Sequence, residues 1–81
     1  MYYLYIVRCS DNSLYTGITL DVKRRIVEHN ESKKGAKYTK SRRPVTLVHS
    51  EMFDSKSDAL KREAYIKNLS REEKNTLVSR E

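Results

Sequence analysis

The residues best suited to chemistry include a cation and a histidine on one face of a predicted helix. At 3.6 residues per turn, this face carries the side chains of Val22, Arg25, Ile26 and His29. A buried arginine or histidine needs a polar or anionic partner, because an unpaired buried charge costs free energy. The pattern therefore indicates a site beside this helix. It fits equally well a structural arrangement in which Arg25 and His29 lie at the edge of the face and extend to water.

A carboxylate, Glu63, occupies the middle of the apolar side of a second predicted helix. That side is formed by Ala59, Leu60, Ala64 and Ile66. If Glu63 were exposed, an ion pair with Lys67 one turn later would account for it at a few tenths of a kcal/mol. A carboxylate can instead hold a Mg²⁺ ion that keeps most of its waters. With arginine to bind phosphate and tyrosine or histidine to move protons, the set suits phosphodiester hydrolysis.

The connection over residues 31–44 is strongly basic and is predicted to be an exposed loop. Its cations are Lys33, Lys34, Lys37, Lys40, Arg42 and Arg43, with Tyr38 between them, and its one acidic residue is Glu31. Such a segment can form a rim that holds phosphates while Tyr38 offers a stacking surface for a base. The alternative is a solvated run of charge without a ligand. Charge separation this complete in a short segment favours the phosphate-binding rim.

Length and composition predict a single domain, residues 1–81, with a core over about residues 2–69. The net charge of +6 favours a polyanionic partner, nucleic acid first. No apolar run approaches the roughly 18 residues of a membrane span, so no membrane association is expected. The start of the chain alternates like a strand rather than resembling a signal peptide, and Cys9 is the only cysteine. Both features are typical of a cytoplasmic protein.

The elements that must position these residues follow from periodicity and turn residues. Residues 2–9 and 14–19 predict two strands of an antiparallel hairpin, and residues 45–53 predict a third strand. Helices are expected up to about Asn30, with Asp21 in the first turn, and after a cap at Asp54 or Ser55. A capping box at residues 70–73 begins a short last helix that ends near Ser79. The predicted class is α+β, with a three-stranded antiparallel sheet flanked by helices on both faces.

The register of the hairpin decides whether its two central tyrosines can share a site. A two-residue turn at residues 11–12 would pair Ser10 with Ser13 and place Tyr5 and Tyr15 on opposite faces of the sheet. If both tyrosines take part in the chemistry, the turn must be longer or contain a bulge. We therefore predict a longer turn or a bulge.

The chain resembles the GIY-YIG nuclease domain, in particular the short bacterial proteins that consist of little else. Its first motif corresponds to Tyr3-Leu4-Tyr5 and its second to Tyr15-Thr16-Gly17. The arginine eight residues beyond the motif glycine, the histidine one turn later and the helix-borne carboxylate correspond to Arg25, His29 and Glu63. The resemblance extends over residues 2–69.

This resemblance implies an endonuclease site with a role for each matched residue. Tyr5 would act as the general base toward a water molecule, assisted by His29. Tyr15 would help to orient that water, and Arg25 would stabilise charge on the scissile phosphate. These roles are expectations that come from the family.

The same resemblance implies that Glu63 holds a single divalent cation, Mg²⁺ or Mn²⁺, and that Gly17 allows a close approach of the backbone. The expected substrate is DNA rather than RNA, in a branched or single-stranded form. Two other functions remain open. One is a nucleic-acid-binding module of the same fold with little or no catalysis, and the other is a small adaptor that binds a protein partner through the basic segment. A pure binder has no need for a carboxylate that repels phosphate, which favours the enzyme.

Overall fold

The computed structural model of the protein describes residues 1–79. Its strands are β1 (Tyr2–Arg8), β2 (Leu14–Thr19) and β3 (Thr46–Phe53), arranged in the order β2-β1-β3 with both pairs antiparallel. The helices are α1 (Val22–Glu31), α2 (Lys37–Lys40), α3 (Lys56–Lys67) and α4 (Arg71–Ser79). This arrangement confirms the predicted α+β class, the three-stranded antiparallel sheet and the short last helix.

The turn between β1 and β2 is longer than two residues. The backbone N–H of Cys9 donates to the carbonyl of Ser13 at 2.8 Å, which leaves three residues in the loop. Asn12 has a φ of 69°, in the left-handed region that asparagine tolerates better than most residues. This loop confirms the predicted longer turn.

The register that follows from this turn places the two tyrosines on one face. Tyr5 lies opposite Gly17, and Val7 lies opposite Tyr15. Residues that are directly opposite in an antiparallel pair share a face, and side chains alternate along each strand. Tyr5 and Tyr15 therefore lie on the same side of the sheet, which a one-residue shift would have prevented.

The sheet has a core on each of its faces, as the pattern of both strands predicts. On one face, buried Leu4 and Ile6 pack with Ile66 of α3 and Val78 of α4. The other face has a second buried cluster formed by Tyr5, Val7, Cys9 and Val45, with Ile26 of α1 packed against it. Val78, at the end of α4, is buried and brings the last helix into the first of these cores.

Side-chain caps define where the helices begin. Asp21 and Ser55 are the N-caps of α1 and α3, each accepting a hydrogen bond at 3.1 Å from the backbone N–H three residues on. The sequence predicts Asp21 inside the first turn of α1. It lies one residue before the helix, where its carboxylate accepts a hydrogen bond from an otherwise unpaired backbone N–H. Ser70 and Glu73 form the predicted capping box, with bonds of 3.0 and 3.1 Å. No helix within residues 1–79 is long and apolar enough to cross a membrane.

The segment between α1 and β3 is more compact than the exposed loop that its composition predicts. It contains the helix α2, and two of its residues, Gly35 and Thr39, are buried. A Cβ atom on Gly35 would lie 2.7 Å from the carbonyl oxygen of Glu28, so glycine is needed for close packing against α1. Gly35 and Thr39 thus turn inward, while the lysines of the segment stay outside.

Arg43 also departs from its predicted place on the phosphate-binding rim. Its Nε donates to the carbonyl of His29 at 2.5 Å, and its Nη2 donates to the carbonyl of Ser32 at 2.6 Å. The His29 carbonyl belongs to the last turn of α1 and Ser32 is its C-cap, where a positive charge is also favoured by the helix dipole. The main role of Arg43 is therefore to cap α1 and hold the basic segment against it.

Candidate catalytic site

A tyrosine from β1 and a histidine from α1 meet at the centre of one face of the sheet. Tyr5 is 1% exposed and His29 is fully buried, and the Tyr5 Oη atom lies 2.7 Å from His29 Nε2. A Cβ atom on Gly17 would lie 2.6 Å from the same Oη atom. Because glycine has no side chain, Gly17 leaves room for the Tyr5 phenol to lie against the backbone of β2.

Both members of this pair are neutral at pH 7. Burial lowers the pKa of His29 to about 4, and the positive charges of Arg25 and Arg43 act in the same direction. Burial raises the pKa of the Tyr5 phenol above its ordinary value of 10. Nearby Arg25 opposes this rise, and the charges of Tyr15 and Glu63 add to it. The resting pair is thus an uncharged phenol beside an uncharged imidazole.

The neutral His29 makes a prediction for stability at acid pH. The unfolded chain protonates this histidine below about pH 6.5, whereas the folded chain does so only near pH 4. Between these values the unfolded state binds more protons, so the free energy of unfolding should fall as the pH is lowered. The full effect is about 3 kcal/mol between pH 7 and pH 4.

Urea unfolding of the wild type and of a His29→Gln variant at both pH values measures this effect. The wild type should lose about 3 kcal/mol more than the variant on acidification, because all other titrating groups are common to the two proteins. An equal loss in the two proteins would contradict a buried, neutral His29.

The ring of Tyr15 connects this pair to the basic segment. It packs edge-on against His29, with ring centroids 5.4 Å apart, and stacks near Tyr38 at 5.8 Å. The guanidinium of Arg42 lies 3.9 Å from the centroid of the Tyr38 ring. Tyr38 was predicted to offer a free stacking surface for a base. It is 37% exposed but already packed against two side chains, so it has less free ring surface than predicted.

Arg25 lies at the border of the buried pair. Its Nη1 donates to Glu28 Oε1 at 2.9 Å and to the carbonyl of Lys34 at 2.8 Å. These two contacts supply the polar partners that a half-buried guanidinium requires. Because both use Nη1, the rest of the guanidinium is left to face Tyr5, on whose pKa it acts.

Glu63 is the one predicted metal ligand, and it is half-buried on α3. Its side chain is 19% exposed, and its Oε2 lies 3.5 Å from Lys67 Nζ in the i,i+4 ion pair that the helix pattern also allowed. Among residues 1–79, no three His, Cys, Asp or Glu side chains group as a metal site. A lone carboxylate fits a hydrated Mg²⁺ or Mn²⁺ ion, because such ions often bind through one carboxylate and keep several waters.

The lysines of the basic segment lie on the surface next to this site. The exposed members are Lys33, Lys34, Lys37 and Lys40. Arg42 is half-buried, because it pairs with Asp11 of the hairpin turn at 3.1 Å and donates to the carbonyl of Tyr38. The segment thus presents lysines to solvent, whereas its two arginines are engaged in contacts within the chain.

Two polar residues near the site have no counterpart in the sequence analysis. Thr39 is fully buried, and its Oγ1 lies 2.9 Å from His29 Nδ1. The Asn30 side chain bonds both the N–H and the carbonyl of Val45, at 2.7 and 3.1 Å, and so ties α1 to the start of β3. Nothing in the local pattern distinguishes these residues from ordinary surface polar residues.

Comparison with known proteins gives matches over almost the whole chain. Residues 1–76 match the family described as the GIY-YIG catalytic domain. A UPF0213 protein of Syntrophus aciditrophicus is 62% identical over 94% of this chain and 87% of its own length. The UPF0213 protein SSP2268 of Staphylococcus saprophyticus is 59% identical over 96% of this chain and 94% of its own.

A solved structure resembles this fold as well. The solution NMR structure of the UPF0213 protein BH0048 from Bacillus halodurans is 51% identical in sequence and has a TM-score of 0.63. The match covers 98% of this chain and 84% of that protein.

Proposed function

The chain belongs to the GIY-YIG catalytic domain family, a nuclease family, and on that premise we propose that it is a divalent-metal-dependent endonuclease acting on DNA. The observation that carries this proposal is the buried contact of 2.7 Å between Tyr5 Oη and His29 Nε2, with Arg25 close by. A purely structural phenol–imidazole pair needs no arginine at its border. A site that transfers a proton next to a phosphate needs such a positive charge, because negative charge develops on the phosphate during the reaction.

Tyr5 is the general base in this proposal, and His29 receives its proton. The phenol oxygen takes a proton from the attacking water while the phenol hydrogen moves to His29 Nε2. The pKa of His29 near 4 and the raised pKa of Tyr5 keep the resting pair neutral. The two transfers are therefore concerted with attack on phosphorus, because a phenolate formed in advance would be too costly. Tyr15 packs against His29 and limits the space in which the water can lie.

Arg25 binds a non-bridging oxygen of the scissile phosphate. Its Nη1 contacts with Glu28 and Lys34 hold the planar guanidinium in one orientation before the substrate arrives. A donor held in place in this way costs little reorganisation when negative charge develops on the phosphate. The same positive charge opposes the rise in the pKa of the Tyr5 phenol, which makes the base easier to deprotonate.

Glu63 holds the cation, Mg²⁺ or Mn²⁺. When bound, the cation supplies positive charge that offsets the charge of the phosphate. Among residues 1–79, Lys67 is the cation that the structure pairs with this carboxylate, at 3.5 Å, and partly exposed ion pairs of this kind contribute little. Replacing that contact by a divalent ion therefore requires no rearrangement of the core.

The exposed lysines of the basic segment bind the DNA backbone next to the site. Replacing Lys34, Lys37 and Lys40 together by glutamine should flatten the dependence of log affinity on log salt by roughly 0.9 for each DNA phosphate that is no longer neutralised. The fold should be unaffected, because all three side chains are exposed. Filter binding or fluorescence anisotropy at several salt concentrations measures the slope.

A matched control removes the same charge from α3 and α4, outside the basic segment. Lys56, Lys61 and Lys74 belong to α3 and α4, and their triple replacement by glutamine should leave the slope almost unchanged. Equal slopes for the two triple variants would show that only the net charge matters, and would remove the basic segment from the DNA interface.

The second candidate function is a nucleic-acid-binding module without turnover. Two observations favour it: the ion pair between Glu63 and Lys67, and the contacts of Arg25 Nη1 with Glu28 and Lys34. In this alternative the polar residues of the site stabilise the fold and the lysines bind phosphate. It predicts affinity for DNA that does not depend on a divalent cation.

One assay separates the two functions. The protein is incubated with end-labelled linear, nicked and branched DNA in the presence of Mg²⁺, Mn²⁺ or EDTA, and matched RNA is tested in parallel. The endonuclease should cleave at least one of the DNA forms with either metal and none with EDTA. Binding without cleavage of any DNA form under either metal would overturn the endonuclease in favour of the binding module.

A further inference from the structure

The short helix α2 sends one uncharged side chain into the protein, directly behind the Tyr5–His29 pair. Thr39 is fully buried, and its hydroxyl lies between a backbone carbonyl and a ring nitrogen of His29. The Thr39 Oγ1 atom donates to the carbonyl of Ala36 at 2.9 Å, and it lies 2.9 Å from His29 Nδ1. Because its single hydrogen is used on the carbonyl, the oxygen is left to accept a hydrogen bond from Nδ1.

We infer that Thr39 is a positioning residue that holds neutral His29 as the tautomer with hydrogen on Nδ1, which leaves Nε2 free to accept the Tyr5 proton. This inference rests on the proposed function. A neutral imidazole carries hydrogen on one nitrogen only, and the bond made by the other nitrogen selects which one. With the opposite tautomer, Nε2 would donate to the phenol oxygen and could not receive its proton.

The environment of the phenol supports the same tautomer. Among residues 1–79, His29 Nε2 is the one hydrogen-bond acceptor that the structure places at the Tyr5 hydroxyl, at 2.7 Å. The Arg25 guanidinium also acts on the phenol, and it can only donate. If Nε2 carried hydrogen, the buried phenol would lose its acceptor, and an unsatisfied buried donor is costly.

One contact favours the opposite tautomer but is weaker. The backbone N–H of Ala36 points to His29 Nδ1 at 3.3 Å, at the long end of the hydrogen-bond range. Ala36 is only half-buried, so leaving its N–H without an acceptor costs less free energy than leaving the buried phenol without one. The 2.7 Å contact at Nε2 and the 2.9 Å contact at Nδ1 therefore outweigh it.

The position of Thr39 also links substrate binding to the proton acceptor. The exposed lysines on either side of it in α2, Lys37 and Lys40, belong to the proposed DNA-binding surface. The same short helix thus faces the phosphates on one side and orients His29 on the other. A DNA contact that shifted α2 would act directly on the hydrogen bond that selects the tautomer.

Nitrogen NMR of the free protein tests the tautomer without any cleavage. In ¹⁵N-labelled protein at pH 7, the chemical shifts of the two His29 nitrogens, assigned by comparison with His29→Gln, identify which nitrogen carries hydrogen. We expect hydrogen on Nδ1 in the wild type. Hydrogen on Nε2 would overturn the inference, even in a protein that cleaves DNA. Conversely, the expected tautomer in a protein that does not cleave DNA would leave the inference intact and count against the proposed function.

Substitution of Thr39 tests the same point in turnover. Thr39→Val keeps the shape of the side chain but removes the hydrogen-bond acceptor. The population of the Nε2–H tautomer relative to the Nδ1–H tautomer should therefore rise by about fivefold to tenfold, the effect of one net hydrogen bond. We expect kcat to fall by up to this factor, in proportion to the loss of the Nδ1–H population that nitrogen NMR measures, with KM unchanged, and Thr39→Ser to restore it. Thr46→Val, on the exposed part of β3, serves as the control and should leave kcat unchanged.

Two outcomes of these substitutions would overturn the inference. One is a Thr39→Val protein that keeps hydrogen on Nδ1 and the wild-type kcat, and the other is a Thr39→Ser protein as slow as Thr39→Val. If Thr39→Val fails to fold, the wild-type nitrogen spectrum and the Thr39→Ser protein still decide the question.

Discussion

Replacing Glu63 by glutamine is expected to abolish metal-dependent cleavage while leaving DNA binding in place. Glutamine keeps the shape of the side chain but removes the charge that attracts a divalent cation. The affinity for DNA in the absence of metal should be unchanged or slightly higher, since a negative charge near the phosphates is removed. The fold should tolerate the change, because the ion pair with Lys67 is 3.5 Å long and partly exposed and contributes at most a few tenths of a kcal/mol.

Glu72→Gln is the matched control for this prediction. It removes the same charge from an exposed position on α4 and should leave cleavage and metal dependence unchanged. The measurements are cleavage rate as a function of Mg²⁺ concentration and DNA affinity in EDTA. A Glu63→Gln protein that cleaves as fast as the wild type would refute the metal site and favour the binding module.

The second large effect is expected for Tyr5→Phe, which removes a single oxygen from the centre of the site. Loss of a positioned general base should lower turnover by about 10² to 10⁴. The variant also leaves His29 Nε2 buried without its partner at 2.7 Å, which should cost about 1–3 kcal/mol of folding free energy. Single-turnover cleavage with saturating protein reports the chemical step, and urea unfolding shows whether the protein is still folded under the assay conditions.

Tyr65→Phe controls for the loss of a phenol hydroxyl, because Tyr65 is 57% exposed on α3 and lies outside the site. It should cleave at the wild-type rate. If Tyr5→Phe is folded and also retains that rate, Tyr5 serves only to support the fold, and the general base must be another group.

Much of the fold follows from local signals in the sequence. The turn residues and the need to place Tyr5 and Tyr15 on one face predict a hairpin turn longer than two residues, and the three-residue loop agrees. The capping box at Ser70 and Glu73, which begins the last helix, is predicted from a few neighbouring residues. These features depend on interactions within one turn or one hairpin, which a short stretch of sequence specifies by itself.

The sequence also places Tyr5, Tyr15, Arg25, His29 and Glu63 on the elements that carry them but does not assign their partners. Charge composition put Arg43 on the phosphate-binding rim, yet its guanidinium bonds the last carbonyls of α1. Composition cannot distinguish a cation that faces solvent from one that bonds backbone carbonyls. The same limit applies to Tyr38, whose ring packs near Tyr15 and Arg42.

Only the tertiary structure decides the inner contacts of the site. Tyr5 and His29 are 24 residues apart in the chain, and His29 and Thr39 are 10 apart, yet both pairs lie within hydrogen-bond distance. Periodicity indicates that His29 faces the interior, but its partners depend on the path of the chain between α1 and β3. That path is set by close packing at Gly35 and by the Arg43 cap, both of which are contacts between elements. A buried polar residue can be recognised from its position in the pattern, whereas its partner depends on which distant segment the core brings against it.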